Sequence, residues 1–362
     1  MSKIGILTYH RAYNYGALLQ AFALRSFLQT AGHDVSFIDY WPEYHKKMYA
    51  LFSFSKLRHR TFKSKLFYIW DSIIHYTARK KFYAKIQKNV DDLITPHTSL
   101  DEKYDIIIYG SDQIWRKQPF INTYNPVYFG QNSFTAKKHI AYAASMGKLP
   151  NNDIDRLSIK KLIKNLDDIS VREKDLQDLL KELGIDAKLV LDPTLLLPTE
   201  NWNVLTPQQP APQKGYIMFF EIVRKSFNLE EVKHFAKIHN SPIRILYNDV
   251  RKIDSEIPTE AVDLIEFLEC TRNAEFVFTS SFHALVFSIL FHKQFFACFK
   301  SNEGRAKTLL KSLGLESRLL KYGDSIPLSP PPIDYTDVER KLKLLREQSI
   351  NFLTQTVCLN EN

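Results

Sequence analysis

The first forty residues limit what this chain can fold into more than any other stretch. Lys3 to Thr8 is an apolar run rich in isoleucine, and Tyr9 to Tyr15 is polar and turn-like. Ala17, Ala21, Leu24 and Leu28 then fall at i, i+4, i+7 and i+11, the apolar stripe of a helix. Gly32 ends that stripe, and Val35 to Tyr40 is a second strand. This is a βαβ unit, the start of a doubly wound sheet, so the fold class is α/β.

The alternation recurs along the chain. Tyr104 to Tyr109, His139 to Ala143, Ile169 to Val171 and Lys188 to Leu191 read as strands, with helical patterns at Ile154 to Leu166 and Asp175 to Leu183. Residues 197–214 hold Pro198, Pro207, Pro210 and Pro212 and mark a domain boundary. Beyond it, Tyr216 to Phe220, Ile243 to Tyr247, Phe276 to Thr279 and Phe295 to Phe299 read as strands, and Val338 to Leu353 as an amphipathic helix. A length of 362 residues fits two such domains. We expect an N-terminal Rossmann-like domain over 1–198, a linker over 199–214, a C-terminal Rossmann-like domain over 215–335 and a C-terminal helix over 336–362.

Between two strands of the first domain the composition changes. Residues 41–90 carry 12 Lys or Arg against only Glu43 and Asp71, more than the whole chain's net excess of +9, together with 12 aromatics. We expect a basic, aromatic helical insertion over about 41–95. Over the whole chain the balance is ordinary: 44% hydrophobic and 25% charged residues exclude a disordered chain. Cys270, Cys298 and Cys358 show no CxxC spacing, and His10, His33, His45, His59 and His75 form no ligand pattern, so no disulfide framework and no metal site are expected. The apolar run at 282–291 is half a membrane span and reads as a buried helix. The opening MSKIGILTYH is too short for a signal peptide core, and a soluble cytoplasmic protein is expected.

Parallel doubly wound sheets bind ligands beyond the carboxyl ends of their strands, so motifs just after strands are the functional candidates. Asn14, Gly16 and Gln20 follow the first strand, where free N–H groups at a helix start attract anions; the alternative is a plain helix cap. Asp112, Gln113 and Trp115 follow the strand ending at Gly110 and put a carboxylate, an amide and an indole on one loop, a set suited to gripping a sugar; the alternative is a cap with a core tryptophan. Arg172 ends another strand and suits bidentate carboxylate or phosphate binding, or else pairs at the surface with Glu173. Ser280, Ser281, Phe282 and His283 join a strand to the apolar helix: hydroxyls and a helix start for phosphate, an imidazole for acid chemistry.

Taken in order these motifs resemble the polysaccharide pyruvyl transferase family. The resemblance rests on IGILTYHRAYNYGALLQAFAL at 4–24, YGSDQIW at 109–115, AYAASMG at 141–147, ISVREKD at 169–175, VLDPTLLL at 190–197, FVFTSSFHALVFSILFHKQFF at 276–296 and Arg305. It implies a glycosyltransferase-B-like pair of domains and transfer of pyruvate from phosphoenolpyruvate onto two hydroxyls of a sugar, as a cyclic ketal. Two positions depart from the family pattern: Ala284 stands where glycine commonly follows the histidine, and Phe282 where some members carry arginine. Arg172 and Arg305 then become the sources of positive charge. On this reading His283 is the acid, Asp112 the hydroxyl base with Asp192 as runner-up, and Arg172, Ser280, Ser281, Phe282 and Arg305 hold phosphoenolpyruvate. Asn14, Gly16, Gln20, Gln113, Trp115 and Asp192 face the acceptor.

The resemblance implies no cofactor beyond phosphoenolpyruvate as donor, no nucleic acid, and an acceptor that in such systems is carried on a lipid diphosphate. Lys56, Arg58, Arg60, Lys63 and Lys65 with their neighbouring aromatics then suggest a peripheral contact at the inner face of the cytoplasmic membrane. Two other readings stay open: a nucleotide-sugar glycosyltransferase of the same fold, and a non-catalytic binding protein for an anionic polymer.

Overall fold

The computed structural model describes residues 1–57, 61–95, 97–118, 121–206, 215–223, 225–247, 249–250, 254 and 256–358. Two open sheets form its frame. In the first, β1 (Lys3–Leu7), β2 (Asp34–Ile38), β3 (His97–Thr98), β4 (Lys103–Tyr109), β5 (Thr135–Ala144), β6 (Asp168–Val171) and β7 (Lys188–Leu189) lie in the order β3-β2-β1-β4-β5-β6-β7. In the second, β8 (Tyr216–Phe220), β9 (Ile243–Tyr247), β10 (Thr259–Ala261), β11 (Ala274–Thr279), β12 (Gln294–Cys298) and β13 (Leu319–Leu320) lie in the order β10-β9-β8-β11-β12-β13. Every described pairing between these strands is parallel. The two sheets share one winding, with the direction of travel reversing beside β1 and beside β8, which is where such sheets open a crevice. The expected fold class, two doubly wound α/β domains, is the one found.

The helices are α1 (Tyr15–Thr30), α2 (Glu43–Tyr49), α3 (Phe62–Ile74), α4 (Tyr76–Leu93), α5 (Asp153–Leu162), α6 (Lys174–Glu182), α7 (Thr199–Asn203), α8 (Leu229–Ile238), α9 (Leu264–Asn273), α10 (Phe282–Leu290), α11 (Gly304–Leu313) and α12 (Tyr335–Val357). The stripe read from the sequence is the buried face of α1, and α4, with Phe82, Ile86, Val90 and Leu93 buried beside it, is the crossover from β2 to β3. The short edge strands β3, β10 and β13 have two or three residues and carry no periodicity that a sequence could show.

A single apolar cluster runs through both domains, joining Leu18 and Leu24 of α1 to Leu285 and Phe287 of α10 and to Leu342 and Leu353 of α12. At the expected linker, Thr199–Asn203 is helical instead, and Trp202 is fully buried with its ring edge-on to Phe287 at 4.8 Å. Apolar burial overrides the proline-rich composition there; Pro207, Pro210 and Pro212 lie outside the described residues. Helix α12 starts on the second domain, where Tyr335 donates its hydroxyl to Lys293 O, and returns to the first, where Ser349 Oγ accepts from Leu191 N at 2.9 Å. From the other side Tyr15 reaches across, stacked on Phe267 at 5.1 Å and donating to Val262 O. The β1–α1 turn is therefore pinned against the second domain.

Candidate active site

The turns after β1, β4, β8, β11 and β12 meet α2 in a cleft of about 380 Å³, and Arg172, after β6, and Asp192, after β7, line an adjoining pocket of about 110 Å³ that shares Phe282 and Arg305 with it. The deepest feature of this junction is a set of charges. Arg172, directly after β6, is buried and donates to Asp192, to Asp112 Oδ1 at 3.2 Å and to Ser111 Oγ at 3.2 Å. Asp192, after β7, also accepts from Thr194 through both N (3.1 Å) and Oγ1 (2.6 Å). His283, in the first turn of α10, places Nε2 3.6 Å from Asp192 Oδ2. Burial would push the Asp192 carboxyl up, but Arg172, His283 and Thr194 together hold it well below the usual carboxylate range. Asp112 is held low in the same way: the upward push of burial is outweighed by Arg172, His283 and Arg305.

The alternative reading, a surface pair of Arg172 with Glu173, does not hold, since both residues are buried. Glu173 is buried and turned away, its Oε1 accepting from Ser145 Oγ at 2.6 Å and from the Met146 and Gly147 amides, each at 3.3 Å. Burial outweighs these bonds and raises its carboxyl.

Phe282 lies between two cations, with the Arg172 guanidinium 5.3 Å and the Arg305 guanidinium 5.0 Å from its ring centre. This arrangement holds two like charges near one another across an aromatic face. Arg305 Nη1 stands 4.0 Å from Asp112 Oδ1. Burial, with Arg172 adding repulsion, pulls the Arg305 guanidinium down to about 10 against the attraction of Asp112, Glu173 and Asp192. Among the described residues, Arg172 Nε, Arg305 Nε and His283 Nε2 are buried without a hydrogen-bond partner.

Gly16 belongs here for a steric reason. A β-carbon on it would lie 1.8 Å from His283 Nδ1, so only glycine leaves room for the ring. Asn14 lines the cleft and caps α1, its Oδ1 accepting from Ala17 N at 3.2 Å. Gln113 lines the cleft half-buried, against Gly147.

Two expected contacts, Trp115 and Gln20, change role. Trp115 is fully buried, donates Nε1 to Tyr128 O at 2.9 Å and stacks on Phe129 at 5.1 Å: it is core beneath the loop, not a sugar platform. Gln20 is fully buried as well, accepting from Ser111 N at 3.1 Å and donating to Thr8 Oγ1 at 2.9 Å, so it braces the Asp112 loop from behind. Ser280 and Ser281 line the cleft beside His283, and their hydroxyls also hold the turn before α10. Ser280 Oγ accepts from the Ile222 and Val223 amides at 3.0 and 3.1 Å, and Ser281 Oγ caps α10 by accepting from Ala284 N at 3.3 Å.

The sequence reading missed the wall supplied by α2. His45, Met48 and Tyr49 line the cleft opposite Asp112, with Tyr9 and the exposed Arg116 beside them. Burial pushes the His45 imidazole down to about 4 despite the attraction of Asp112. Two of these residues had a signal: Tyr9 lies within the motif at 4–24, and Arg116 is a cation immediately after YGSDQIW. Outside the cleft, His10, Asp39 and His97 bring ligand atoms within 4.8 Å of one another, a proximity that no sequence spacing reveals. Arg11 already forks the Asp39 carboxylate at 2.5 and 2.7 Å.

No curated protein matches the chain in a sequence search. Solved structures resemble it at low identity. The UDP-GlcNAc 2-epimerase from Methanocaldococcus jannaschii has a TM-score of 0.49 at 11% identity, covering 98% of this chain and 99% of its own. The UDP-GlcNAc 2-epimerase from Neisseria meningitidis has 0.44 at 9%, covering 99% and 94%. The glycosyltransferase SnogD from Streptomyces nogalater has 0.38 at 10%, covering 97% and 98%. The family model described as polysaccharide pyruvyl transferase matches residues 14–300, a span that includes Asn14, Asp112, Arg172, Asp192 and His283. This chain belongs to the polysaccharide pyruvyl transferase family.

Proposed function

We propose that the chain transfers pyruvate from phosphoenolpyruvate onto two hydroxyls of a sugar, in a polysaccharide or its lipid-linked precursor, as a cyclic ketal. The observation that carries the reading is that Arg172 Nε, Arg305 Nε and His283 Nε2 are buried around Phe282 without a hydrogen-bond partner, His283 facing only the Asp192 carboxylate at 3.6 Å. A small, doubly anionic ligand supplies the acceptors such a trio lacks. Arg305, destabilised as a cation by its burial, gains most from that charge.

The chemistry follows in balanced steps. His283 gives a proton to the methylene carbon, and positive charge develops at C2. One sugar hydroxyl adds at C2 and yields its proton to Asp112. The C–O bond to phosphate breaks, and the second hydroxyl closes the ketal, its proton leaving with phosphate. Asp112, held low, is a weak base by itself, but a hydroxyl adding to an electron-poor C2 is strongly acidified as the bond forms. Asp192 is a positioning residue: it offsets charge on the His283 ring and on Arg172. Arg172 keeps the two aspartates apart and offers Nε to the ligand. Asn14, Gln113, His45 and Tyr49 line the acceptor side. We place the reaction at the cytoplasmic face of the membrane, where lipid-linked saccharides are assembled.

The test is incubation with phosphoenolpyruvate and galactose- or mannose-type acceptors, with phosphate release and product mass followed together. Equimolar phosphate and pyruvylated sugar are expected. Transfer of a glycosyl group with nucleotide release would assign the site to a nucleotide sugar instead. Tight anion binding that His283→Gln leaves intact, with no product from any acceptor, would mark a binding protein.

A further inference from the structure

Helix α3 is inside out. Of its thirteen residues only Ser72 is buried, while Phe62 (75% exposed), Leu66, Phe67, Trp70 (58%), Ile73 (71%) and Ile74 face solvent. Positions 62, 66, 70 and 73 follow a helical period, so these side chains form one apolar stripe. A contiguous exposed patch of this kind marks an interaction surface.

Charge selects the occupant. Lys63 is exposed on the same helix, and Lys80, Lys81 and Lys88 are exposed on α4, which follows it. The two acids of residues 41–90 are engaged, Glu43 by Lys46 at 2.7 Å and Asp71 by Arg79 at 2.8 Å. Arg58, Arg60 and the Lys56 side chain lie outside the described residues. A second copy of this chain would bring the same positive excess against itself, whereas an anionic bilayer complements it. Aromatic and aliphatic side chains flanked by lysines suit the headgroup boundary. No described helix is long and apolar enough to cross a membrane, so α3 would lie along the surface.

We infer that α3 is an interfacial helix that docks the first domain on an anionic lipid bilayer. Ser53 N donates to Tyr68 Oη at 3.0 Å and Phe52 stacks on Tyr68 at 5.5 Å, so α3 is tied to the chain leaving α2, which lines the cleft. Docking thus brings the acceptor wall close to the lipid surface. The docking itself does not depend on the reaction, and its test reads binding alone.

The full-length protein is floated with phosphatidylcholine vesicles with and without phosphatidylglycerol, at low and high salt, beside the double variant Phe67→Glu/Ile73→Glu. Both replaced side chains are exposed, and unchanged circular dichroism confirms the variant's fold. Wild type should float with the anionic vesicles only, the bound fraction should fall as salt rises, and the double variant should lose about tenfold or more in binding. Trp70 emission should shift blue on binding, and Trp70→Phe should remove that shift. No flotation of wild type, or equal flotation of the double variant, would overturn the inference. A wild-type dimer that does not float, and that the double variant breaks in sedimentation, would assign the stripe to a second copy.

Discussion

Gly16 and His283 come from different domains and fill each other's space: a β-carbon on residue 16 would stand 1.8 Å from His283 Nδ1. The turn after β1 and the start of α10 can therefore meet only while one partner has no side chain. Gly16→Ala should push the imidazole well over an ångström from its place, lower kcat by about 10² and lower the melting temperature, because the clash sits in the buried contact between the domains. Full activity in Gly16→Ala would show that the ring position does not matter.

Asp192 neutralises a buried guanidinium. In Asp192→Asn, Arg172 keeps its burial and loses its closest countercharge, which costs about 3–5 kcal/mol where a buried pair is broken. Denaturant unfolding should show that loss. Arg172→Met in the same chain should recover part of it, while neither variant turns over.

Arg305 is the under-compensated cation of the cleft. Arg305→Gln should raise the KM for phosphoenolpyruvate about 10- to 100-fold, as expected for losing a charged hydrogen bond, and leave the KM of the sugar nearly unchanged. Equal shifts for both substrates would place Arg305 in the scaffold.

His45 sets a pH dependence. Its folded-state pKa of about 4 lies below the unfolded value near 6.5, so between those values the unfolded chain binds the extra proton. Stability from this residue is complete above about pH 6.5 and falls as pH drops towards 4, by on the order of 3 kcal/mol. His45→Gln should flatten that acid limb in thermal unfolding; an unchanged limb would mean the ring is not buried neutral.

Much of the fold was legible because long strands and amphipathic helices write their period into the sequence. β4 and α1 are examples, whereas β3 and β13, two residues each, write nothing. Asp112, Arg172, Asp192 and His283 were each readable as residues following strands, and Arg305 only through the family resemblance. Their partners were not: Arg172 and Asp192 close on one another from neighbouring strands, and Gly16 meets His283 across two domains. Polar residues in the motifs also looked alike before folding. Gln20, on the buried face of α1, and Trp115 turned inward and Gln113 towards the cleft, a difference set by the face of the helix or the side of the loop each occupies. Helix α2 escaped notice as a cleft wall because its seven residues lie within a segment whose charge dominated the reading.

The central claim, that a protein acid protonates phosphoenolpyruvate while a sugar captures C2, is tested most directly by running the reaction in deuterium oxide with wild type and His283→Gln. The account predicts a ketal methyl carrying one solvent deuterium, one phosphate released per ketal, and a loss of about 10² to 10⁴ in rate for His283→Gln. A ketal methyl without deuterium, or a His283→Gln rate near that of wild type, would contradict it.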